Sequence, residues 1–359
     1  MKSMLTEDNT EKITAEKGFT IMELIVAMTI FMIVTGSIWG LLKVAGDSRG
    51  VVNQQIPLQK NVRLALSVMG RDTYNAGFGY PLSATVVQLP DNRIATLLGI
   101  PVDYDTAIDR VPPIMAGNNV NSNTYNTTTG TMTDQVTFLF KDSTFNPVPT
   151  PPNAAGVSTS LDINAITSPT PGIIEIAPTS GSNSVCRVND IYLIVGTNAA
   201  ALGLSTALNG TTGVRFANGD LLGFNQTGST GGLSSITGNR SMMRVKMITY
   251  FVTSGGTLTR REFANVMPAV AFLDEPLVYN VDNFQIKYIM DNGTLSDNPS
   301  AGPDNIPGNA DDVQANLAAV RQVRFTVSVR STDLNSNRQP YRETMTSTFS
   351  TRNLGYEEN

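Results

Sequence analysis

Histidine is absent from this 359-residue chain, and cysteine occurs once, at Cys186. The first absence removes the side chain most often used as general base and metal ligand; the second leaves no partner for an internal disulfide. Most nucleophile–base pairs and zinc sites are excluded on these grounds, so an enzyme is not expected. No Gly-x-Ser-x-Gly elbow, P-loop or dinucleotide fingerprint is present either. Cys186 reads as a small buried apolar residue. Charge is scarce, at 15% of residues, with 25 Lys and Arg against 30 Asp and Glu. The formal charge is −5, and residues 1–18, with Lys2, Lys12 and Lys17 against Glu7, Asp8, Glu11 and Glu16, hold −1 of it, which leaves −4 for the remainder. A mildly acidic chain has no global attraction for phosphate backbones, so the sequence gives no strong nucleic-acid signal.

What fills the space is Asn, Thr, Ser and Gly in long stretches, a composition that suits a β-rich extracytoplasmic domain better than a cytosolic helical enzyme. A chain of this length buries a substantial core, as one large domain or two modest ones.

The longest apolar run is LIVAMTIFMIVTGSIWGLL, Leu24 to Leu42, 19 residues without a charge. At about 1.5 Å per residue it matches the roughly 30 Å hydrocarbon core of a bilayer. Three readings compete: a secretory signal, an ordinary transmembrane anchor, and an anchor that is processed at its N-terminal side. A secretory signal has a basic start, a shorter apolar run and a cleavage site after it. Here the leader MKSMLTEDNTEKITAEKG is rich in acid and the run is too long. Glu23 sits one residue inside the apolar stretch FTIMELIVAMTIF. A mid-bilayer charge is penalised by about 2.5–3.5 kcal/mol on insertion scales, so Glu23 calls for a partner. Trp39, near the outer end of the run, reads as an interface anchor.

The string KGFTIMEL, residues 17–24, resembles the processing site of the type IV prepilins. That resemblance implies cleavage by a prepilin peptidase after Gly18, N-methylation of Phe19 as the first mature residue, and an assembly role for Glu23, the fifth. Glycine suits a cleavage site because it has no side chain to obstruct a protease. The freed amine of Phe19 on one subunit would pair with Glu23 of a neighbour, turning a desolvation penalty into an assembly force. Lys12 and Lys17 agree weakly with a cytoplasmic N-terminus.

Beyond Lys43 the apolar residues Val44, Val51, Leu58, Val62, Ala65 and Met69 recur at helical spacing, which predicts one face packed on a globular head. Pro57 is expected to kink or split this helix, with Gly46 and Gly50 loosening it, and AGFGYP (residues 76–81) to end it. The segment with Arg71, Asp72, Ala76, Gly77 and Phe78 resembles the end of the first helix in PilW-type minor pilins and GspJ-type pseudopilins. A later stretch, MRVKMITYFVTSGGTLTRREF, resembles a PilW pattern through Tyr250, Phe251, Val252, Gly255, Gly256, Leu258 and Arg260.

In the head, strands are predicted at 135–141, 185–195, 243–252, 257–263, 277–290, 321–330 and 344–351, with antiparallel pairing. Loops are predicted at 117–131, 142–160, 196–213 and 225–240. The acidic stretch 291–313 has two readings: a solvated loop, or a calcium site built on Asp291, Asp297, Asp304, Asp311 and Asp312, which lacks the EF-hand order and its closing Glu. No other cofactor is expected.

The expectation is therefore an α+β, type IV pilin-like chain: leader 1–18, transmembrane and filament-core helix 19–43, its continuation 44–79, and a β-rich domain 80–359 with a subdivision near 210–240. The resemblance implies a structural minor pilin that primes or caps a type IV pilus in adhesion, twitching motility or DNA uptake. The alternatives are a minor pseudopilin of type II secretion and a pilus-displayed adhesin or binding module. Implied partners are major and minor pilins, the prepilin peptidase and the inner membrane, which the chain crosses once, N-terminus in the cytoplasm and head in the periplasm, before joining the filament.

Overall fold

The computed structural model describes residues 18–81, 87–90, 92–100, 109–125, 132–145, 161–178, 183–225, 232–238, 240–265, 270–299, 319–334 and 339–354. A single helix, α1 (Ile21–Asn75), runs 55 residues, about 80 Å at the α-helical rise. Thr20 caps its start, and the chain turns away after Ala76 through Gly77 (φ 78°) and Gly79 (φ 72°), a left-handed geometry that favours glycine. From Ile21 to Asn53 no described side chain is buried. Packing against the head begins at Gln54, and Leu58, Val62, Ala65 and Met69 form the packed face as expected, whereas Val44 is 64% exposed; the side chain of Val51 lies outside the described residues. The expected break at Pro57 does not occur: α1 is continuous through it. Asn53 and Pro57 are both exposed, so water can take the carbonyl that proline leaves unbonded.

Seventeen strands are found among the described residues, thirteen in one sheet and four in another. Strand Arg240–Val252 organises the large sheet. Its first part lies between Leu161–Thr170 and Ile191–Val195, and its second between Met132–Lys141 and Leu258–Phe263. Every pairing is antiparallel except that of Val87–Leu89 with Ala200–Leu204. The smaller sheet has the order Leu295–Ser296, Val281–Met290, Val320–Leu334, Pro340–Ser350. The lower half of α1 lies across its last two strands and also touches Phe272–Val278 and Met132–Lys141. The main core fills the space between: Val62 and Met69 from α1, Phe138 and Tyr250 from the large sheet, Phe284 and Phe325 from the small one. Gly70 lets the helix approach closely, since a Cβ there would overlap the Phe349 ring.

Several predicted strands match and several do not. The predicted strand 185–195 is a strand only over Ile191–Val195, because a turn at Asn183–Cys186 and Asn189 (φ 65°) precede it. The predicted strand 277–290 is two strands in different sheets, Phe272–Val278 and Val281–Met290, divided at Asn280 (φ 60°). Strands Ala200–Leu204 and Ala207–Asn209 occupy part of the predicted loop 196–213, and Ile114–Ser122 part of the loop 117–131. Residues 146–160 and 226–231 of the other two predicted loops lie outside the described residues.

Two buried carboxylates tie the parts together. Asp72, on the last turns of α1 and 2% exposed, accepts hydrogen bonds from the Tyr250 hydroxyl (2.7 Å) and Arg260 Nε (3.0 Å). Arg260 also reaches Glu275 (3.0 Å) and Glu262 (3.3 Å). Removing Asp72 would leave the buried Tyr250 phenol without its acceptor and Arg260 Nε unpaired, with Glu262 and Glu275 still holding the rest of that guanidinium, so Asp72→Ala is expected to destabilise the head by about 2–3 kcal/mol in chemical denaturation; a loss under about 1 kcal/mol would show that this contact does not secure the helix.

Asp134 bridges the two sheets: its Oδ1 accepts from the Asn119 amide (2.9 Å) and its Oδ2 from the Ile286 amide (2.6 Å). Burial raises its pKa to about 6 even though both amides favour the ionised form. The folded value exceeds the unfolded one, so protonation stabilises the fold, and that contribution, about 3 kcal/mol, is lost as pH rises from about 4 to 6. Stability measured across this interval in the native chain and in Asp134→Asn should differ in slope, with the falling component missing from the variant; identical slopes would refute the assignment.

Candidate functional site

The residues implied in processing and assembly lie together at the free end of α1. Gly18, Phe19 and Thr20 precede the helix, and Phe19 is 90% exposed. Among the described residues nothing lies within 4 Å of where a Gly18 side chain would stand, so none of them covers the Gly18–Phe19 peptide bond against a protease. Residues 1–17, with Lys12 and Lys17, lie outside the described residues.

Glu23, expected to need a partner from a neighbouring subunit, already has one in its own chain. Thr20 Oγ1 accepts from the Glu23 amide (3.3 Å), while the Thr20 amide (3.0 Å) and hydroxyl (3.1 Å) both donate to Glu23 Oε2. This is a capping box, which satisfies two helix-end donors and sets a carboxylate against the positive end of the helix dipole. The spacing Thr20-x-x-Glu23 ahead of an apolar run is itself the sequence signal for it. Both bonds fall on Oε2, so Oε1 keeps its capacity to accept from another donor.

The wall that follows is apolar on every side. Phe31 is 71% exposed, Trp39 72% and Leu41 71%, and no part of the most apolar 18-residue window is covered by the head. Its hydroxyls are satisfied within the helix: Thr29 donates to the Ile25 carbonyl and Ser37 to that of Ile33, both at 2.8 Å. A surface of this kind is stable only in lipid or against other apolar helices.

Asp297 pairs with Lys287 Nζ (2.9 Å), Asp291 lies 3.9 Å from Arg321, and Asp304, Asp311 and Asp312 lie outside the described residues. Among the described residues no three His, Cys, Asp or Glu side chains are placed to hold a metal. Cys186 is buried beside Tyr192, and burial pushes its thiol up to about 11, which suits an inert core residue.

The family model described as the prokaryotic N-terminal methylation motif matches residues 13–39. No curated protein and no solved structure matches the chain. The motif, set on an open Gly18–Phe19 bond and an uncovered apolar helix, indicates a type IV pilin-like protein that is processed by the prepilin peptidase, anchored in a membrane by the first part of α1 and assembled with other pilins.

Proposed function

We propose that the protein is a structural, non-enzymatic minor pilin of the PilW type that primes or caps a type IV pilus. The observation that carries this reading is the methylation motif followed by a helix whose side chains stay uncovered from Ile21 to Asn53. Before assembly the apolar run spans the inner membrane, with the leader in the cytoplasm and the head in the periplasm. Cleavage after Gly18 frees the Phe19 amine, which is then methylated. In the filament that amine donates to Oε1 of Glu23 on a neighbouring subunit, while Oε2 keeps its bonds to Thr20. The PilW assignment is supported by contact between the two stretches that resemble that family: Asp72 from the first meets Tyr250 and Arg260 from the second.

N-terminal sequencing and intact mass, on protein from cells with and without the peptidase, should give a chain starting at N-methylated Phe19 only where the peptidase is present. A chain that keeps residues 1–18 in peptidase-positive cells, or is cut beyond Leu42, would overturn the reading. Deleting the protein should abolish surface pili and leave protein export intact; the reverse would make it a type II secretion pseudopilin. Glu23→Ala should be processed and membrane-inserted normally, yet its incorporation into sheared filaments should fall at least tenfold, as expected for loss of a desolvated ion pair.

A further inference from the structure

Where α1 ends, its last turn and the chain after it form one wall of a cleft of about 490 Å³. Tyr74, Asn75 and Phe78 line that wall, and Lys141, Arg352 and Asn353 are among the residues opposite. Two features set this cleft apart from the rest of the surface. Lys141 is only 5% exposed and Arg352 is exposed, and the side chain of neither makes a hydrogen bond or ion pair among the described residues. Among the described residues no acid lines the cleft, in a chain with more acids than bases. The adjacent Asp142 faces away, held by Arg244 at 2.8 Å. A largely buried lysine without a counter-ion among the described residues is unfavourable, and burial accordingly draws the Lys141 pKa below its ordinary value. An anion entering the cleft would relieve that penalty on Lys141 and could pair with the exposed Arg352 as well.

The walls are fixed before any ligand arrives. Lys141 N–H donates to the Phe78 carbonyl (2.8 Å), Gly77 N–H to Leu139 (2.9 Å), and Asn353 Nδ2 to the Tyr74 carbonyl (2.9 Å). Tyr74 rests edge-on against Phe349, centroids 6.5 Å apart. Two rings stand partly open at the mouth, Tyr74 at 48% and Phe78 at 45% exposed, and Asn75 has no side-chain hydrogen bond among the described residues. Cations for one carboxylate, aromatic faces for an apolar ring surface and the Asn75 amide for a hydroxyl make a single chemical set. We propose that this cleft binds a carboxylate-bearing sugar unit of an acidic polysaccharide. Two cations are too few for a nucleic-acid track, and the cleft lies about 50 Å along α1 from the end of the apolar run, far from the headgroups around the anchor.

The test is calorimetric titration of the full chain in detergent micelles with trigalacturonate, galactotriose and tetraglutamate. Trigalacturonate should bind saturably, at least tenfold tighter than either of the others. Arg352→Gln should weaken it at least tenfold without lowering the melting temperature, and Tyr74→Ala and Lys141→Met should do the same in proteins verified as folded. Absence of binding, equal binding of galactotriose, equal binding of tetraglutamate, which would make the cleft a socket for acidic protein segments, or unchanged affinity in Arg352→Gln would overturn the proposal. The site does not depend on the filament reading, so chains with and without residues 1–18 should bind alike even if processing fails.

Discussion

A carboxylate shut inside the head is what joins a rod to a globule. Asp72 is almost wholly withdrawn from water, and the loss of hydration is offset because Tyr250 and Arg260 come from neighbouring strands to meet one oxygen while Arg71 on the same helix meets the other. Hydrophobic contacts along Val62, Ala65 and Met69 supply most of the attraction between helix and head, but they are non-directional and would tolerate sliding or rotation. The charged contact does not. It fixes the rotation of α1 about its axis, and with it which side of the free half points where.

That fixed rotation matters because α1 lives in two solvents. One half is apolar on all faces and uncovered; the other is amphipathic and covered along one stripe. A continuous backbone couples them, so the position of the head sets the position of Glu23, 49 residues earlier in the chain. The capping box does the equivalent work at the other end: it holds the Glu23 carboxylate against its own first turn and leaves one oxygen for a neighbour.

The sequence made some of this plain and concealed the rest for physical reasons. Alternation in Val320–Leu334 was readable because Val323, Phe325, Val327 and Val329 are all buried while the residues between them are not. Ala200–Leu204 was not readable: AALGL is buried on both faces, so no alternation marks it, and alanine and glycine carry no strand signal. The division at Asn280 hung on a single left-handed residue inside an otherwise strand-like stretch. The methylation motif was legible because it is a local run of residues. The Asp72–Arg260 contact was not, because its partners are 188 residues apart and only the fold brings them together. Val44 was misread for a related reason: helical spacing specifies a face, but how far along that face the head extends is a tertiary fact.

Pro57 has a mechanical meaning beyond its failure to bend α1. It lies on the turn where the helix enters the head, and proline removes one rung of the hydrogen-bond ladder there. A pull transmitted from anchor to head passes through that turn with one bond fewer than any turn around it. It is a soft link in the rod, and each residue drawn out from helix to extended chain lengthens the tether by about 2 Å. Placed beside a head clamped by Asp72, this missing rung gives the rod a place to yield under tension while the clamp holds.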